Sequence, residues 1–373
     1  MKIPQIKPLK KKEKMNSILL KKSFLAGLVL LAFAITSCGT ESKENTMEQL
    51  QNSSDQLLEY LVANGDYINS PEAPAVITAA SLYENLDKNI LIIDLRKPDQ
   101  YAAGHIAGAV NVQPNGLFNY FTKQIDAPSF EQIVLVCGRG QLSAYMNGFV
   151  RLLGFSNTFS VRYGMSGWHA DFAKSGWETV TSDTLEGKLE NIAQPKAASG
   201  KLPDVMMPMA PTEWLVRERI SLLLQQKPDT FLISLQELLH HPERYYIVNY
   251  WPEESYLNPG HIPGSIHYEP RKSFKAETDL LSLPIDKPIV LYCYTGHHSA
   301  HAAAFLRVLG YDAFSLAYGA NSFIHSHLAK TEKNPNHYWS SAQIHQFPVS
   351  TSGIPAAKEQ EAETKIKIDG GCI

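Results

Sequence analysis

Four short, continuous apolar runs stand out along the chain, and they fall into two matched pairs. Residues 89–94 and 133–136 form the first pair, 246–248 and 289–292 the second, and all are rich in branched side chains. Runs of this length, apolar throughout rather than alternating, are expected of strands buried on both faces of a parallel sheet. The second run of each pair leads into a glycine-bearing loop and then a helical pattern, over 143–153 and 299–309. Gly154 and Gly310 close these helices, as glycine often does at a helix C-terminus. Strand, loop, helix, strand, written twice, predicts two α/β domains, each a mainly parallel sheet flanked by helices on both faces. Outside them, 47–62 reads as an amphipathic arm packing on the first domain through Leu50, Leu57, Leu58 and Leu61, and 211–226 reads as a connecting helix.

The two patterns are copies. Gly104-His105-Ile106-Ala107-Gly108-Ala109 returns as Gly260-His261-Ile262-Pro263-Gly264-Ser265, and Cys137 to Ala144 returns as Cys293 to Ala300, both displaced by 156 positions. Tyr163-Gly164 returns as Tyr318-Gly319. A register kept over this distance marks a duplicated domain. The expected organisation is an export segment over 1–37, a tether and helical arm over 39–73, and a first domain over 74–182. A linker and connecting helix over 183–227, a second domain over 228–330 and a flexible C-terminal tail over 331–373 complete it.

Charge changes the picture at the front end. Residues 1–22 hold eight lysines and one acid and lead into a 12-residue apolar run, 24–35. That run is too short to span a membrane, which takes roughly 20 residues, but suits the core of an export signal. Ser37-Cys38-Gly39 follows and resembles a bacterial lipobox, so Cys38 is expected to carry lipid and hold the protein to a membrane of the bacterial cell envelope. From residue 38 onward there are 26 basic and 36 acidic residues. A surface that negative excludes nucleic acid as a partner. Cys38, Cys137, Cys293 and Cys372 are the only cysteines, and a repeat that keeps one in each copy fits a disulfide framework poorly.

The candidate chemistry lies in the cysteine loops. Cys137 and Cys293 each sit at the C-terminal end of a buried strand, immediately before a helix, where ligands bind in parallel α/β sheets. The loops Gly138, Arg139, Gly140, Gln141, Leu142, Ser143 and Tyr294, Thr295, Gly296, His297, His298, Ser299 are expected to turn backbone N–H groups inward, adding to the positive end of the helix. Both effects favour an anionic, nucleophilic sulfur. Cysteine phosphatases use a similar cradle but grip their oxyanion with an arginine six positions after the cysteine. Here those positions hold Ser143 and Ser299, which argues against phosphoryl transfer. His297, His298 and His301 crowd the second loop too tightly for a tetrahedral metal site, and His298 is expected instead to lend positive charge to Cys293. No metal or cofactor is expected. Cys372, behind two glycines, is a possible mobile relay thiol. His105 and His261 read as structural hydrogen-bond donors rather than as bases.

Taken together these motifs resemble the rhodanese family. Asp94-x-Arg96, the Gly-His-Ile stretch, the Cys137 loop and Tyr163-Gly164 with Gly167-Trp168 match its pattern in the first copy. The second copy keeps the Gly-His-Ile stretch, the Cys293 loop and Tyr318-Gly319. The resemblance implies a sulfurtransferase that takes sulfane sulfur from thiosulfate or a persulfide onto a cysteine and passes it to a thiol or cyanide. Its partners would be small sulfur anions and a thiol acceptor; a non-catalytic carrier of polysulfide or persulfide sulfur is the alternative. It also implies a structural Asp94–Arg96 ion pair. Asn249-x-Trp251 replaces that pair in the second copy, a change expected to affect stability rather than chemistry. Both cysteines are expected to be competent, with Cys137 slightly favoured.

Overall fold

Two five-stranded parallel sheets form around the four apolar runs. The computed structural model describes residues 50–351, all within one compact unit; the export segment, Cys38 and Cys372 lie outside the described residues. In chain order the strands are β1 Leu50–Asn52, β2 Val76–Ile77, β3 Ile90–Asp94, β4 Val110–Asn111, β5 Gln132–Val136, β6 Thr158–Val161, β7 Met206–Pro208, β8 Leu232–Ile233, β9 Tyr246–Asn249, β10 Ile266–His267, β11 Ile289–Tyr292 and β12 Ala313–Leu316. The first sheet runs β2-β6-β5-β3-β4 and the second β8-β12-β11-β9-β10, the same order twice. Every neighbour in both sheets is parallel. Ile133, Val134, Leu135 and Val136 of β5 and Ile289, Val290 and Leu291 of β11 are buried at the two centres, the environment their unbroken apolar sequence demands.

Two helices follow the cysteine loops, and two more brace the pair of domains: α1 Ser54–Ala63, α2 Gln141–Leu152, α3 Thr212–Leu224 and α4 His297–Val308. The loop helices begin two residues earlier than the sequence suggests. Gly140 at φ +91° and Gly296 at φ +81° turn the chain directly into them, a backbone angle at which glycine escapes the penalty of a Cβ. Helices α2 and α4 pack against each other along the junction between the domains. Gly148 of α2 lets them approach closely, since a Cβ there would lie 2.8 Å from that of Ala304. Leu57, Leu58 and Leu61 of α1 share one core with Leu215, Val216 and Ile220 of α3, and with the faces of α2 and α4. The arm therefore packs into a core common to both domains, and β1 pairs antiparallel with β7 of the linker.

The described part of the C-terminal stretch is not the loose tail expected of its irregular sequence. Residues 331–351 run back across the first domain: Trp339 is buried, His105 bridges Ser350, and Trp168 Nε1 donates to Pro348 O at 2.9 Å. Apart from two short 3-10 turns, Pro335–His337 and Ser341–Gln343, the stretch is held by side chains distant in sequence, which is why it lacks periodicity. Among the described residues no helix is long and apolar enough to cross a membrane.

Candidate active site

Each cysteine immediately follows the central strand of its sheet. In the first domain the chain leaves β3 toward the edge strand β4 and then returns to β5 on the other side. The loops after β3 and β5 therefore diverge and open a crevice at their C-terminal ends. Cys137 lies there, in a cleft of about 980 Å³. Leu95, Arg96 and Lys97 line it from the loop after β3, Lys227 from the end of the linker, and Asp229 and Tyr318 from the second domain. Cys137 Sγ accepts N–H bonds from Gly140 at 3.1 Å and Ser143 at 3.3 Å, with the Ser143 hydroxyl at 3.4 Å. The second loop repeats this arrangement. Cys293 Sγ accepts from Gly296 N at 3.2 Å and Ser299 N at 3.4 Å. Donors so placed, at the positive end of a 12-residue helix, suit an anionic sulfur in either loop.

Both loops are fixed from beneath and from the side. Cys137 O accepts from Met165 N at 2.8 Å and Cys293 O from Ala320 N at 2.9 Å. Gly164 and Gly319 sit against these carbonyls, where a Cβ would overlap the oxygen, which explains why a Tyr-Gly pair recurs in both copies. The fourth position of each loop then reaches into the opposite domain. Gln141 Oε1 accepts from Tyr318 N at 2.8 Å, and its amide nitrogen donates to Leu316 O at 3.2 Å. Reciprocally, His297 Nε2 accepts from Tyr163 N at 3.1 Å. That bond places the ring proton on Nδ1, which faces Thr295 Oγ1 at 2.9 Å. The side chains of Gln141 and His297 are thus spent on the domain junction.

The copies differ in what covers the sulfur. A Cβ on Gly138 would meet nothing within 4 Å, so the first loop is open at this point. The matching position holds Tyr294, whose ring stacks on Trp251 at 4.9 Å and on His337 at 4.0 Å, while its hydroxyl donates to Ser255 Oγ at 2.7 Å. All three rings are buried, and Cys293 is 0% exposed. Cys137 is 3% exposed and reaches solvent through the cleft. The two loops therefore differ in exposure: Tyr294 stands over the second, and Trp251, where the first copy has Arg96, stacks on that ring.

The remaining candidates are structural. Arg96 Nη2 donates to Asp94 Oδ2 at 2.6 Å and to Gly104 O at 2.6 Å, tying the strand end to the Gly-His-Ile stretch. His105 Nδ1 lies 2.8 Å from Tyr101 O and His261 Nδ1 lies 2.9 Å from Tyr256 O, each ring stacked on that tyrosine. Leu142 lines the Cys137 cleft as an apolar wall. His298 does not charge the second loop. It is wholly buried, and burial first, then the Arg271 guanidinium, pushes it well below the usual histidine range. His297 is shifted the same way by burial and Arg162, and His301 is lowered to about 3 by burial and Arg151. All three are neutral at pH 7.

With the geometry in view, the comparisons with known proteins agree. The Rhodanese-like domain model matches residues 78–171 and 234–326, together about half of the chain. The chain belongs to the rhodanese family and carries two such domains. It is 30% identical over 100 residues to the thiosulfate sulfurtransferase GlpE of Pseudoalteromonas translucida, covering 26% of this chain and 91% of that one. It is 26% identical over 94 residues to the uncharacterized protein YibN of Escherichia coli K12, covering 25% of this chain and 66% of that one. Among solved structures, a rhodanese-related protein from Thermoplasma volcanium is 27% identical, with 27% of this chain and 92% of that one covered and a TM-score of 0.22. The family and its relatives support sulfurtransferase activity in general.

Two outcomes are expected. The unfolded chain takes up protons on these histidines near pH 6.5, whereas the folded chain holds His297, His298 and His301 neutral to lower pH. Stability is therefore full above about pH 6.5 and falls below it, by up to about 1.4 kcal/mol per pH unit for each histidine. Urea midpoints measured from pH 8 to 5 test this: they should fall below pH 6.5, and less steeply in His298→Leu. A midpoint independent of pH contradicts it. Separately, Tyr294→Gly should make Cys293 react with iodoacetamide at least about tenfold faster, read by peptide mass spectrometry. An unchanged rate would show that the ring is not the barrier.

Proposed function

We propose that the protein transfers sulfane sulfur through a persulfide on Cys137, taking it from thiosulfate or a persulfide and giving it to a thiol or cyanide. One observation carries the reading: Cys137 Sγ is held by two loop amides at the floor of an open cleft. Lys97, Arg139 and Lys227 line the cleft with Asp229, a net positive lining that draws in anionic donors. The thiolate attacks the outer sulfur of thiosulfate, the S–S bond breaks, and sulfite leaves with the electron pair. The terminal sulfur of the persulfide anion is then attacked by cyanide or a thiolate, and the Cys137 thiolate is released. The Gly140 and Ser143 N–H groups stabilise negative charge on Sγ at both ends of this cycle. The thiosulfate sulfurtransferases named GlpE among its relatives support the choice of donor.

Thiosulfate and cyanide turnover by the wild type, Cys137→Ser and Cys293→Ser tests the assignment. Cys137→Ser should lose activity by at least about 100-fold, and Cys293→Ser should stay within about twofold of wild type. Loss in Cys293→Ser with Cys137→Ser active would reverse the roles. A +32 Da adduct on Cys137 without turnover would make the protein a sulfur carrier instead of an enzyme.

The proposal includes attachment to a cell-envelope membrane through lipid on Cys38, which rests on the lysine-rich front end, the apolar run and Ser37-Cys38-Gly39. Cys38→Ala should move the protein from the membrane fraction to the soluble fraction. Retention of that variant in the membrane fraction would count against a lipid anchor.

A further inference from the structure

Among the polar side chains that the second domain places at the Cys137 cleft is Tyr318, which the cysteine-loop motifs do not include. Tyr318 lines the cleft, its backbone N–H is fixed by Gln141, and its ring packs edge-on against Trp177 at 5.1 Å. Arg139 of the first loop reaches across to it. One guanidinium nitrogen donates to the phenol oxygen, the other to Ser175 O at 2.7 Å, and the guanidinium lies over the Tyr318 ring at 5.6 Å.

Because Arg139 donates to the phenol oxygen, the Tyr318 O–H proton is left for another acceptor. Burial raises Tyr318 above the usual tyrosine range by more than the Arg139 guanidinium lowers it, so the phenol stays protonated at neutral pH. Arg139, for its part, has no carboxylate partner among the described residues; neutral oxygens alone meet its charge. A donor and a cation are thus held side by side in the wall of the cleft that holds the sulfur. Tyr163, the matching residue of the first copy, is used differently. It is buried, and its hydroxyl donates to Asn336 O at 3.2 Å and Tyr338 O at 3.0 Å.

We propose that Tyr318 is a specificity-determining residue of the Cys137 site, supplied across the domain junction. Its O–H, together with Arg139, receives the anionic end of the sulfur donor, a sulfonate or carboxylate, while the sulfur end faces Cys137 Sγ. The second repeat is on this account the far wall of one site, not a second site. The inference rests on the proposed use of Cys137 as the sulfur carrier, but the same pair acts on any anion that approaches this thiol.

That breadth supplies the test. Cys137 of the full chain is alkylated with iodoacetate, an anion, and with neutral iodoacetamide, and the label is located by mass spectrometry. Tyr318→Phe should slow iodoacetate about fivefold and change iodoacetamide by less than about twofold, with KM for thiosulfate rising while kcat holds. Arg139→Gln should show the same bias between reagents, so the test survives if either variant folds poorly. Equal slowing of both reagents, or no slowing of iodoacetate, overturns the inference. If the reagent bias is present but no sulfur is transferred, Tyr318 keeps its anion-binding role and the sulfur-carrier reading of Cys137 falls.

Discussion

Each cysteine loop sends one side chain across the junction to accept a bond from the Tyr-Gly turn of the other domain. Gln141 caps the Tyr318 amide and His297 caps the Tyr163 amide, both buried where α2 meets α4. These bonds join segments more than 130 residues apart through two buried side chains, and an unpaired buried polar group is costly. They hold the loop amides in place, and with them the donors that face each sulfur. They also explain why the second domain persists beside a cysteine that solvent does not reach: without it, the first loop loses the partner of Gln141 and the far wall of the cleft.

Duplication makes two equal cradles, and a few side chains make them unequal. The sulfur environments match to within about 0.1 Å in their donor distances, yet Gly138 leaves one loop open and Tyr294 closes the other. The closure is cooperative. Trp251 replaces a residue that in the first copy pairs with Asp94, and His337 comes from the C-terminal stretch, pinned as Asn321 donates to its carbonyl at 2.9 Å. Offset aromatic stacking of three buried rings is favourable in itself, so the second domain gains packing at the place where the first keeps a crevice.

Electrostatics follow the same division. The histidines that crowd the second loop look like a source of charge, but a buried imidazole without a carboxylate beside it stays neutral, and three nearby arginines reinforce that. Positive charge gathers instead on the rim of the first cleft, on lysines and an arginine that remain hydrated enough to keep it. Cationic side chains therefore line the cleft at Cys137, while Cys293 is buried.

The fold class, the duplication and the position of both cysteines were legible in the sequence, because they rest on local patterns: unbroken apolar runs, glycines that turn a strand into a helix, and a register of 156 residues. The Asp94–Arg96 pair, implied by the family resemblance, is present as well. Which cysteine is reachable, that His298 is neutral, that residues 331–351 bind the first domain, and that Tyr318 stands at the Cys137 cleft were decided only in three dimensions. Each depends on contacts between residues far apart in the chain, such as Tyr294 with His337 or Arg139 with Tyr318, and burial at such contacts is a property of the packed whole, which no local pattern of residues encodes.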